Sequence, residues 1–504
     1  MTTQASQANF RTCPTTGLQV HRPAELLITV NAVAAVVFLT VGGILALLLA
    51  LTRWELVHLL PADLFYRFLT AHGITMLIFW IVFFEVAGLY FGATVLLNAR
   101  LVTPRLGWAA FALMMIGALL TEVMVFTGQA DVMFTAYIPL KAHPLFYLGY
   151  ILFAVGALVA VYLFFASVVV AKQERRHTGS LPLVTYGLVV AGIIATFTLI
   201  CGAITFIPAF FWSLGILETY DPAAYRLLFW GFGHAAQQIN LAAMVAIWYA
   251  LATLTVGAKP INEKLSRLAF LLYILFINLG AIHHLMVDPG LSVGYKIVNT
   301  SYLMYLAVLG SMIHAYSIPA AVEVAQRAKG YTQGLFGWLR RAPWGDPGFA
   351  ALVVSMVMFG FLGGVTGVIQ GMMQLNMMIH NTLRVVGHFH ATVVAGTTVA
   401  FMGLTYYLIP LIMRRGLISR RLASWQPYVY GSGLLLLIAG MMLSGDIGIP
   451  RRSWSIAGGG FSSLSDITLG MVGIGAIVAV VGGGMFVYIA VFSLLFGKDL
   501  RKQS

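Results

Sequence analysis

Six histidines in apolar parts of this chain have the residue type and placement to bind metal ions. They are His72, His234, His283, His284, His388 and His390. His388 and His390 stand two residues apart inside an apolar run at about 379–413. A helix buried in lipid rarely carries an ionisable residue without a use, and imidazole is a common ligand of iron, copper and zinc. One such histidine is explained as well by a buried hydrogen bond, but six together favour metal binding.

The pair on the 379–413 run can serve two cofactors at once. Residues two apart on a helix point roughly 200° away from each other, so His388 and His390 face opposite sides. A low-spin heme needs two axial imidazoles from facing helices, whereas a high-spin heme needs one. His72 can complete the bis-histidine site with one member of the pair.

The other three histidines suit a different kind of centre. His234, His283 and His284 together match a non-heme metal with three imidazole ligands and an open position. Adjacent helical residues are about 100° apart, so His283 and His284 can share a metal only near a helix end, where we place them. Arg451 and Arg452 follow in an outer loop and can pair with heme propionates, with a solvated turn as the alternative.

Membrane-spanning helices must position these side chains. The chain has 504 residues, of which 60% are hydrophobic and 9% charged, a balance that water-soluble domains of this size do not have. We predict an all-α polytopic membrane protein with about 12 transmembrane helices, in a single domain over 1–504 whose transmembrane core is about 25–497. The predicted spans are 25–52, 65–98, 106–129, 145–171, 183–214, 226–256, 265–287, 293–325, 348–374, 380–413, 426–447 and 466–497.

The basic residues predict the orientation. With the N-terminus inside, 21 of the 29 Lys and Arg residues fall on the inner side, which predicts a multi-pass protein of the cell (inner) membrane with both termini cytoplasmic. The same bias accounts for the net charge of +13, so we expect contact with membrane lipid and no nucleic-acid binding. Under this topology the six histidines lie in the outer half of the membrane, on four helices, where they can converge.

Four stretches carry a resemblance to a known family. They are FTAYIPLK at 134–141, the pair His283-His284 followed by DPG at 288–290, HNT at 380–382 and GHFH at 387–390. The chain resembles subunit I of the heme-copper oxidase superfamily from about 24 to 497, and most closely its B-type (ba-type) branch. The resemblance implies a heme-copper oxidase subunit I-like bundle.

The resemblance also implies roles for individual residues. A low-spin heme b and a high-spin b-type heme are implied, together with one non-heme metal. The implied assignments are His72 and His390 to the low-spin heme, His388 to the high-spin heme, His234, His283 and His284 to the second metal, and Arg451, Arg452 and His380 to the surroundings of the propionates. Asn376 stands where that branch carries an aspartate near the propionates, so this detail of the site is expected to differ.

One departure from the family pattern bears on function. Oxygen-reducing members place a tyrosine one turn after the span-six histidine, and here Gln238 follows His234 at that spacing. Another branch supplies the tyrosine six residues before the histidine pair, where this chain has Ile277; Tyr273 is badly placed to substitute. An amide cannot form a comparable radical or act as a phenolic acid. Gln238 is our predicted catalytic residue, bonding bound substrate or ordering water, with a helix-packing amide as the alternative.

The polar residues for proton transfer also differ. Gly310 and Ile313 occupy the positions on span eight where B-type oxidases have hydroxyl groups, whereas Tyr249 remains on span six. Glu85 and Glu122 are intramembrane acids that serve either another route or a helix contact.

These losses predict a nitric oxide reductase catalytic subunit, in respiratory electron transport and denitrification. Joining two NO molecules to give nitrous oxide and water takes two electrons and two protons and no protein radical. Copper is favoured at the non-heme site and iron is possible, because span six has no glutamate near His234. The alternatives are a B-type terminal oxygen reductase (cytochrome c oxidase subunit I) and a non-catalytic gas sensor or electron conduit.

The electron donor is expected to be a separate subunit. The sequence shows neither a CuA motif nor a heme c attachment motif. We therefore predict a cupredoxin (CuA-like) or cytochrome c-like partner on the outer side, delivering electrons for a small gas substrate.

Overall fold

The computed structural model describes residues 9–14, 16–456 and 463–503, and these are almost entirely helical. A two-stranded antiparallel ribbon, β1 (Phe10–Thr12) and β2 (Gln19–His21), precedes the first helix. Within the described residues eleven helices are long and apolar enough to cross a membrane, which confirms the all-α polytopic prediction. With the shorter α7 they are α1 (Arg22–Arg53), α2 (Ala62–Val95), α3 (Pro104–Phe126), α4 (Pro144–Gln173), α5 (Leu183–Ser213), α6 (Pro222–Val256), α7 (Glu263–Leu272), α8 (Val293–Ala328), α9 (Pro347–Gly371), α10 (Leu383–Leu411), α11 (Arg420–Asp446) and α12 (Ser463–Phe496).

The seventh predicted span, 265–287, is not one continuous helix. After α7 the chain continues as a π-helical turn, Tyr273–Ile277, and then as a 3-10 turn, Ala281–His284. A regular helix cannot present two adjacent side chains to one ion, because they diverge by about 100°. The histidine pair therefore lies beyond the regular helix, in a turn whose geometry brings the two rings to 4.1 Å between centroids.

Helix α6, which carries His234, begins and ends at residues that favour helix termini. Proline occupies the first turn, where its missing N–H costs nothing. The Asp221 carboxylate caps the helix by accepting from the Ala223 N–H at 3.0 Å. Gly257, with φ +75°, ends it in the left-handed conformation. These signals set the two ends of α6, and His234 is buried within it.

Two of the histidine-bearing helices change from α to π geometry beside their histidines. In α2 a π segment, Thr75–Phe79, begins three residues after His72, and in α10 a π segment, His390–Thr398, begins at the histidine itself. Such π segments inside α-helices occur frequently at functional sites. They alter the angular spacing of side chains along α2 and α10.

Helices α11 and α12 pack with their backbones in direct contact. A Cβ atom built on Gly433, Gly475 or Gly482 would lie less than 3.0 Å from backbone atoms of the opposing helix. Small residues of this kind let transmembrane helices approach closely, since association in lipid depends on van der Waals packing. The glycines therefore hold together one wall of the bundle.

This contact predicts a stability effect. Gly475→Ala places a methyl group against the Leu437 backbone, and overpacking of this kind costs typically about 1–3 kcal/mol. We expect a lower thermal unfolding midpoint in detergent for this variant. Gly88→Ala, within helix α2, is the control, because nothing lies within 4 Å of its added Cβ and it does not line the central cavity. Equal midpoints for both variants would contradict the packing argument.

Candidate heme and metal centre

His72 and His390 face each other across a gap that fits one metal ion. Their ring centroids are 6.5 Å apart and the rings are inclined by 17°. Metal–imidazole bonds are about 2 Å long, so one ion fits between two Nε2 atoms at this ring separation. The prediction pairing His72 with His390 is therefore compatible with the geometry of a bis-imidazole heme site.

Backbone carbonyls set the direction in which these two rings point. His72 Nδ1 lies 3.0 Å from the Gly42 carbonyl oxygen, and His390 Nδ1 lies 2.8 Å from that of Val386. Each Nδ1–H must donate to its carbonyl, so each ring keeps the Nε2 lone pair for a metal. Both tautomers are thus determined by the fold.

His388 turns the opposite way, towards α9. Its Nδ1 lies 2.9 Å from the Thr366 hydroxyl, whose own hydrogen is directed to carbonyls of the preceding turn. His388 Nδ1–H therefore donates to Thr366, and its Nε2 remains available as a single axial ligand. Gly367 makes room for the ring, since a Cβ there would come within 3.1 Å of His388 Cε1. His388 and His390 thus serve opposite sides of one helix, as their spacing predicts.

The other three histidines form a compact group. One nitrogen from each of His234, His283 and His284 lies within 4.8 Å of the other two, and in the described part of the chain they are the one such cluster of three or more possible ligands. His283 Nδ1 donates to the Gly280 carbonyl at 2.8 Å, which leaves its Nε2 free. His234 Nδ1 faces His284 Nε2 at 3.4 Å. Three neutral imidazoles are a donor set that copper and zinc favour.

Gln238 lies on the far edge of the same group. Its amide nitrogen is 3.5 Å from His234 Nε2, the ring nitrogen turned away from His284. The two residues are one helical turn apart, so the contact follows from the helix geometry. The contacts described for His234 and His283 are to His284, Gln238 and Gly280. The backbone of Ile277 lies in the π turn, and its side chain is outside the described part.

The indole of Trp230 packs against the three-histidine group, a contact that the sequence alone did not reveal. Trp230 stacks on His284 with ring centroids 3.7 Å apart and planes inclined by 2°. Its N–H donates to the Tyr137 hydroxyl at 2.6 Å. The Tyr137 ring in turn lies under the guanidinium groups of Arg226 and Arg452. Trp230 precedes His234 by one turn on α6, and that spacing is the signal that could have identified it.

Three arginines converge at the outer end of the site. Arg451 and Arg452 line the cavity between the histidines, and Arg53 from α1 joins them by donating to the Arg451 carbonyl at 2.5 Å; their predicted pairing with propionates stays a prediction. Burial, then the charge of Arg452, lowers the pKa of Arg451 to about 10. The ion pairs of the described residues on this side use other arginines: Arg67, Arg226 and Arg384. Buried cations without carboxylates require an anionic ligand, and heme propionates fit that need.

His380 and Asn376 contact each other, and Asn376 also bonds to the backbone, at this end of the site. His380 Nδ1 lies 2.9 Å from the Asn376 side-chain oxygen. The Asn376 amide donates to the carbonyls of His283 at 3.0 Å and Gln370 at 2.7 Å. Burial, then the charge of Arg451, lowers the pKa of His380 to about 4, so the ring is neutral. The described partners of Asn376 are protein groups, and its predicted contact with a cofactor stays a prediction.

A cavity of about 400 Å³ joins these groups. It is lined by His72, His390, His388, His284, Gln237 and the three arginines, with mostly aliphatic side chains around them. An apolar slot with histidines at its sides and cations at one end has the chemistry of a porphyrin pocket. The residues present therefore fit two hemes and one non-heme metal.

Two polar side chains of α8, Ser311 and His314, contact tyrosines of neighbouring segments. Tyr249 contacts Ser266 at 2.9 Å and His314 Nδ1 at 3.0 Å, and Tyr273 contacts Ser311 at 3.0 Å. Ser311 directly follows Gly310, and His314 directly follows Ile313. Gly310 and Ile313 occupy the positions where B-type oxidases have hydroxyl groups. Span eight therefore carries a hydroxyl and an imidazole beside Gly310 and Ile313, although neither of those two positions has a polar side chain.

Comparison with known proteins agrees with this geometry. Residues 27–490 match the family described as Cytochrome C and Quinol oxidase polypeptide I. A cytochrome c oxidase subunit 1 of Thermus thermophilus is 31% identical over 407 residues, which cover 79% of this chain and 70% of the relative. A quinol oxidase subunit 1 of Bacillus subtilis is 22% identical over 479 residues, covering 88% and 69%.

A solved structure is similar over nearly the whole fold. A chain from the cryo-EM structure of a heme-copper terminal oxidase dimer superposes with a TM-score of 0.89 at 26% identity. The match covers 95% of this chain and 85% of that one.

The stacked indole yields a prediction about metal binding. Trp230→Ala removes the surface that orients His284, and loss of such supporting contacts typically lowers metal affinity by about 10- to 100-fold. We expect the non-heme metal content of the purified protein to fall while its visible heme spectrum is kept. Trp230→Phe retains a stacked ring and is the control. Full metal content in the alanine variant would show that Trp230 does not position His284.

Proposed function

The chain belongs to the cytochrome c and quinol oxidase polypeptide I family, which makes it a heme-copper oxidase subunit I, and from that premise we propose that it is the catalytic subunit of a nitric oxide reductase. It is a membrane oxidoreductase whose substrate in this proposal is nitric oxide, reduced to nitrous oxide and water. The finer assignment rests on the surroundings of His234 described above.

The observation that carries the proposal is the amide beside His234. Gln238 occupies the edge of the imidazole where a phenol would supply an electron and a proton for O–O bond cleavage. An amide can donate and accept hydrogen bonds but has no ionisable or readily oxidised group. Coupling two NO molecules requires two electrons and two protons and makes no demand for a protein radical. The site is therefore suited to NO and poorly equipped for dioxygen.

The bound cofactors would supply the two electrons and the two positions at which NO is held. The chain's own residues would hold the cofactors: His72 and His390 would bind the low-spin heme, and His388 would bind the high-spin heme, whose other face stays open. His234, His283 and His284 would hold the second metal, and Gln238 would order water at the His234 nitrogen turned away from His284. Aliphatic walls exclude bulk water, which strengthens each of these polar contacts.

Copper is the metal we propose for the trio. The cluster contains imidazoles and, within the described residues, no carboxylate completes it. Iron sites commonly add carboxylate ligands, whereas imidazole alone suits copper or zinc, and zinc has no redox chemistry.

Protons for the reaction would come from the inner side. The Ser266 hydroxyl lies 3.2 Å from the carbonyl oxygen of Asn262, the residue that caps the start of α7. From Ser266 the contacts pass to Tyr249 and then to His314, which is fully buried. Groups that both donate and accept are what a proton relay requires. The outer side would instead receive electrons, from a separate cupredoxin-like or cytochrome c-like subunit.

Oxygen reduction is the second candidate, and the relatives favour it. The curated relatives described above are a cytochrome c oxidase and a quinol oxidase, and the similar structure is of a terminal oxidase. In this reading another group donates the electron that a phenol would supply. Tyr137 is not placed to donate that electron directly, because its hydroxyl accepts a hydrogen bond from Trp230, which lies between it and His284.

The variant Gln238→Tyr tests the proposed function. A phenol at this position restores an electron and proton donor beside His234, so we expect oxygen turnover to rise by about tenfold or more and NO turnover to fall. Gln238→Leu is the matched control, since it removes the amide without adding a phenol. Both rates would be followed electrochemically on reduced protein. Wild-type oxygen turnover that already matches the tyrosine variant would overturn the assignment.

The proton route gives a second prediction. Tyr249→Phe breaks the contacts to Ser266 and His314, so we expect turnover to fall by about tenfold or more. In proteoliposomes, proton uptake from the inner side should be lost along with it. Tyr406→Phe, which breaks a buried bond to Gln426 on other helices, is the control. Unchanged inner-side uptake in the first variant would exclude this route.

A further inference from the structure

Two histidines of the metal-binding trio stand on a turn that lies outside any regular α-helix. After the π turn Tyr273–Ile277 the chain leaves helical geometry, and His283 and His284 lie in the 3-10 turn Ala281–His284. Where a helix ends inside a bundle, its free N–H and C=O groups must find other partners, because an unpaired backbone group away from water is costly. The groups that supply those partners therefore determine the shape of this turn.

One buried side chain, Asn299 of α8, satisfies two of these backbone groups. Its Oδ1 accepts from the Ile282 N–H at 3.0 Å, and its Nδ2 donates to the Leu279 carbonyl at 2.5 Å. Asn299 is only 1% exposed, so water does not compete for these bonds. An amide has one accepting and one donating end, and the two backbone groups require this one orientation. The Asn299 side chain thus bridges the segment that directly precedes His283.

Two further bonds connect this segment to the histidine pair. His283 Nδ1 donates to the Gly280 carbonyl at 2.8 Å, and the Asn376 amide donates to the His283 carbonyl at 3.0 Å. Gly280 lies inside the segment that Asn299 bridges. The direction of the His283 ring therefore depends on the position in which Asn299 holds the backbone.

Helix α8 holds the chain on both sides of the histidine pair. Asn299 binds the residues before the pair, and Lys296, three residues earlier on α8, donates to the carbonyls of Met286 at 2.7 Å and Asp288 at 3.3 Å. Lys296 is only partly buried, so water can replace its bonds, whereas the bonds of Asn299 are enclosed. Asn299 is therefore the stronger of the two contacts.

The place of Asn299 in α8 also indicates a functional position. A π segment, Asn299–Leu303, begins at this residue, as another begins at His390 in α10. Such segments inside α-helices occur frequently at functional sites. The amide stands on a transmembrane helix, and a side chain on such an element positions its partners more precisely than one on a loop.

We propose that Asn299 is a positioning residue for the non-heme metal, which holds the turn in the form that lets His283 and His284 bind one ion together with His234. It acts through the backbone and does not touch the metal. Without it, the backbone before the pair would lose two buried hydrogen bonds, and the two rings would no longer be kept at one ion. This inference rests on the metal site of the proposed function but not on which gas is reduced.

Infrared spectroscopy with carbon monoxide on the purified, reduced holoenzyme tests the proposal. Light releases CO from a heme iron, and a reduced copper ion beside it can capture the CO, whose stretching frequency then reports the ligands of that ion. In Asn299→Ala we expect this frequency to shift. The band area relative to the heme–CO band should fall by about 10- to 100-fold, the usual effect on affinity of removing a group that orients metal ligands. The heme–CO band should remain, since Thr366 holds His388 independently.

The variant Asn31→Ala is the matched control. Asn31 is also an amide with 1% exposure, but it donates to the Leu27 carbonyl of its own helix, α1, and does not line the central cavity. We expect its second-metal band to equal that of the wild type in frequency and area. An equal shift in both variants would overturn the proposal, because a general loss of packing would then explain it.

The remaining outcomes are as decisive. An unchanged second-metal band in Asn299→Ala overturns the proposal. Where that variant does not assemble, Asn299→Ser serves instead, because its short hydroxyl side chain cannot bridge both backbone groups, and an unshifted band there overturns the proposal too. A wild-type protein without this band would overturn the metal site itself and this inference with it. Turnover of NO and of oxygen is assayed separately, so a failure of the proposed reaction is distinguished from a failure of the positioning role.

Discussion

The structure depends on one requirement: the neutral imidazoles around the central cavity must satisfy both of their ring nitrogens inside an apolar bundle. For His72, His283 and His390 one nitrogen is tied to a backbone carbonyl, and for His388 it is tied to Thr366. The other nitrogen of His72, His388 and His390 is thereby directed into the central cavity, which these three residues line. Leaving such a nitrogen unpaired in a low-dielectric interior would cost several kcal/mol. Metal ligation meets this requirement, so the fold and the cofactors stabilise each other.

The same reasoning applies to charge at the outer end. Arg53 is buried and Arg451 and Arg452 are partly buried beside the cavity, where cations without anions are unfavourable. Two propionate-bearing cofactors would supply the missing negative charge. Asn376, which contacts His380, donates to the His283 carbonyl and so links the metal-binding turn to the chain that precedes α10. Cofactor binding and the packing of the outer loops are therefore coupled.

Much of this arrangement follows from residue type and spacing. Apolar runs located the helices, and the placement of six histidines at one depth grouped them as the structure has them. The break after α7 was not foreseen, because an apolar run gives no sign of a helix that ends inside it. Trp230 and Arg53 were missed because their roles depend on partners from distant helices. The contacts of Ser311 and His314 on α8 were missed because they are made to tyrosines of other helices.

The central claim is that a two-metal gas pocket with Gln238 in place of a phenol couples NO more readily than it splits dioxygen. The most direct measurement is turnover of the wild-type purified, reduced protein, first with isotopically labelled NO and then with dioxygen, with nitrous oxide followed by mass spectrometry. The account predicts labelled nitrous oxide formed with two electrons consumed per product, and slower consumption of dioxygen. Rapid reduction of dioxygen with little nitrous oxide would contradict it, and so would inertness to both gases.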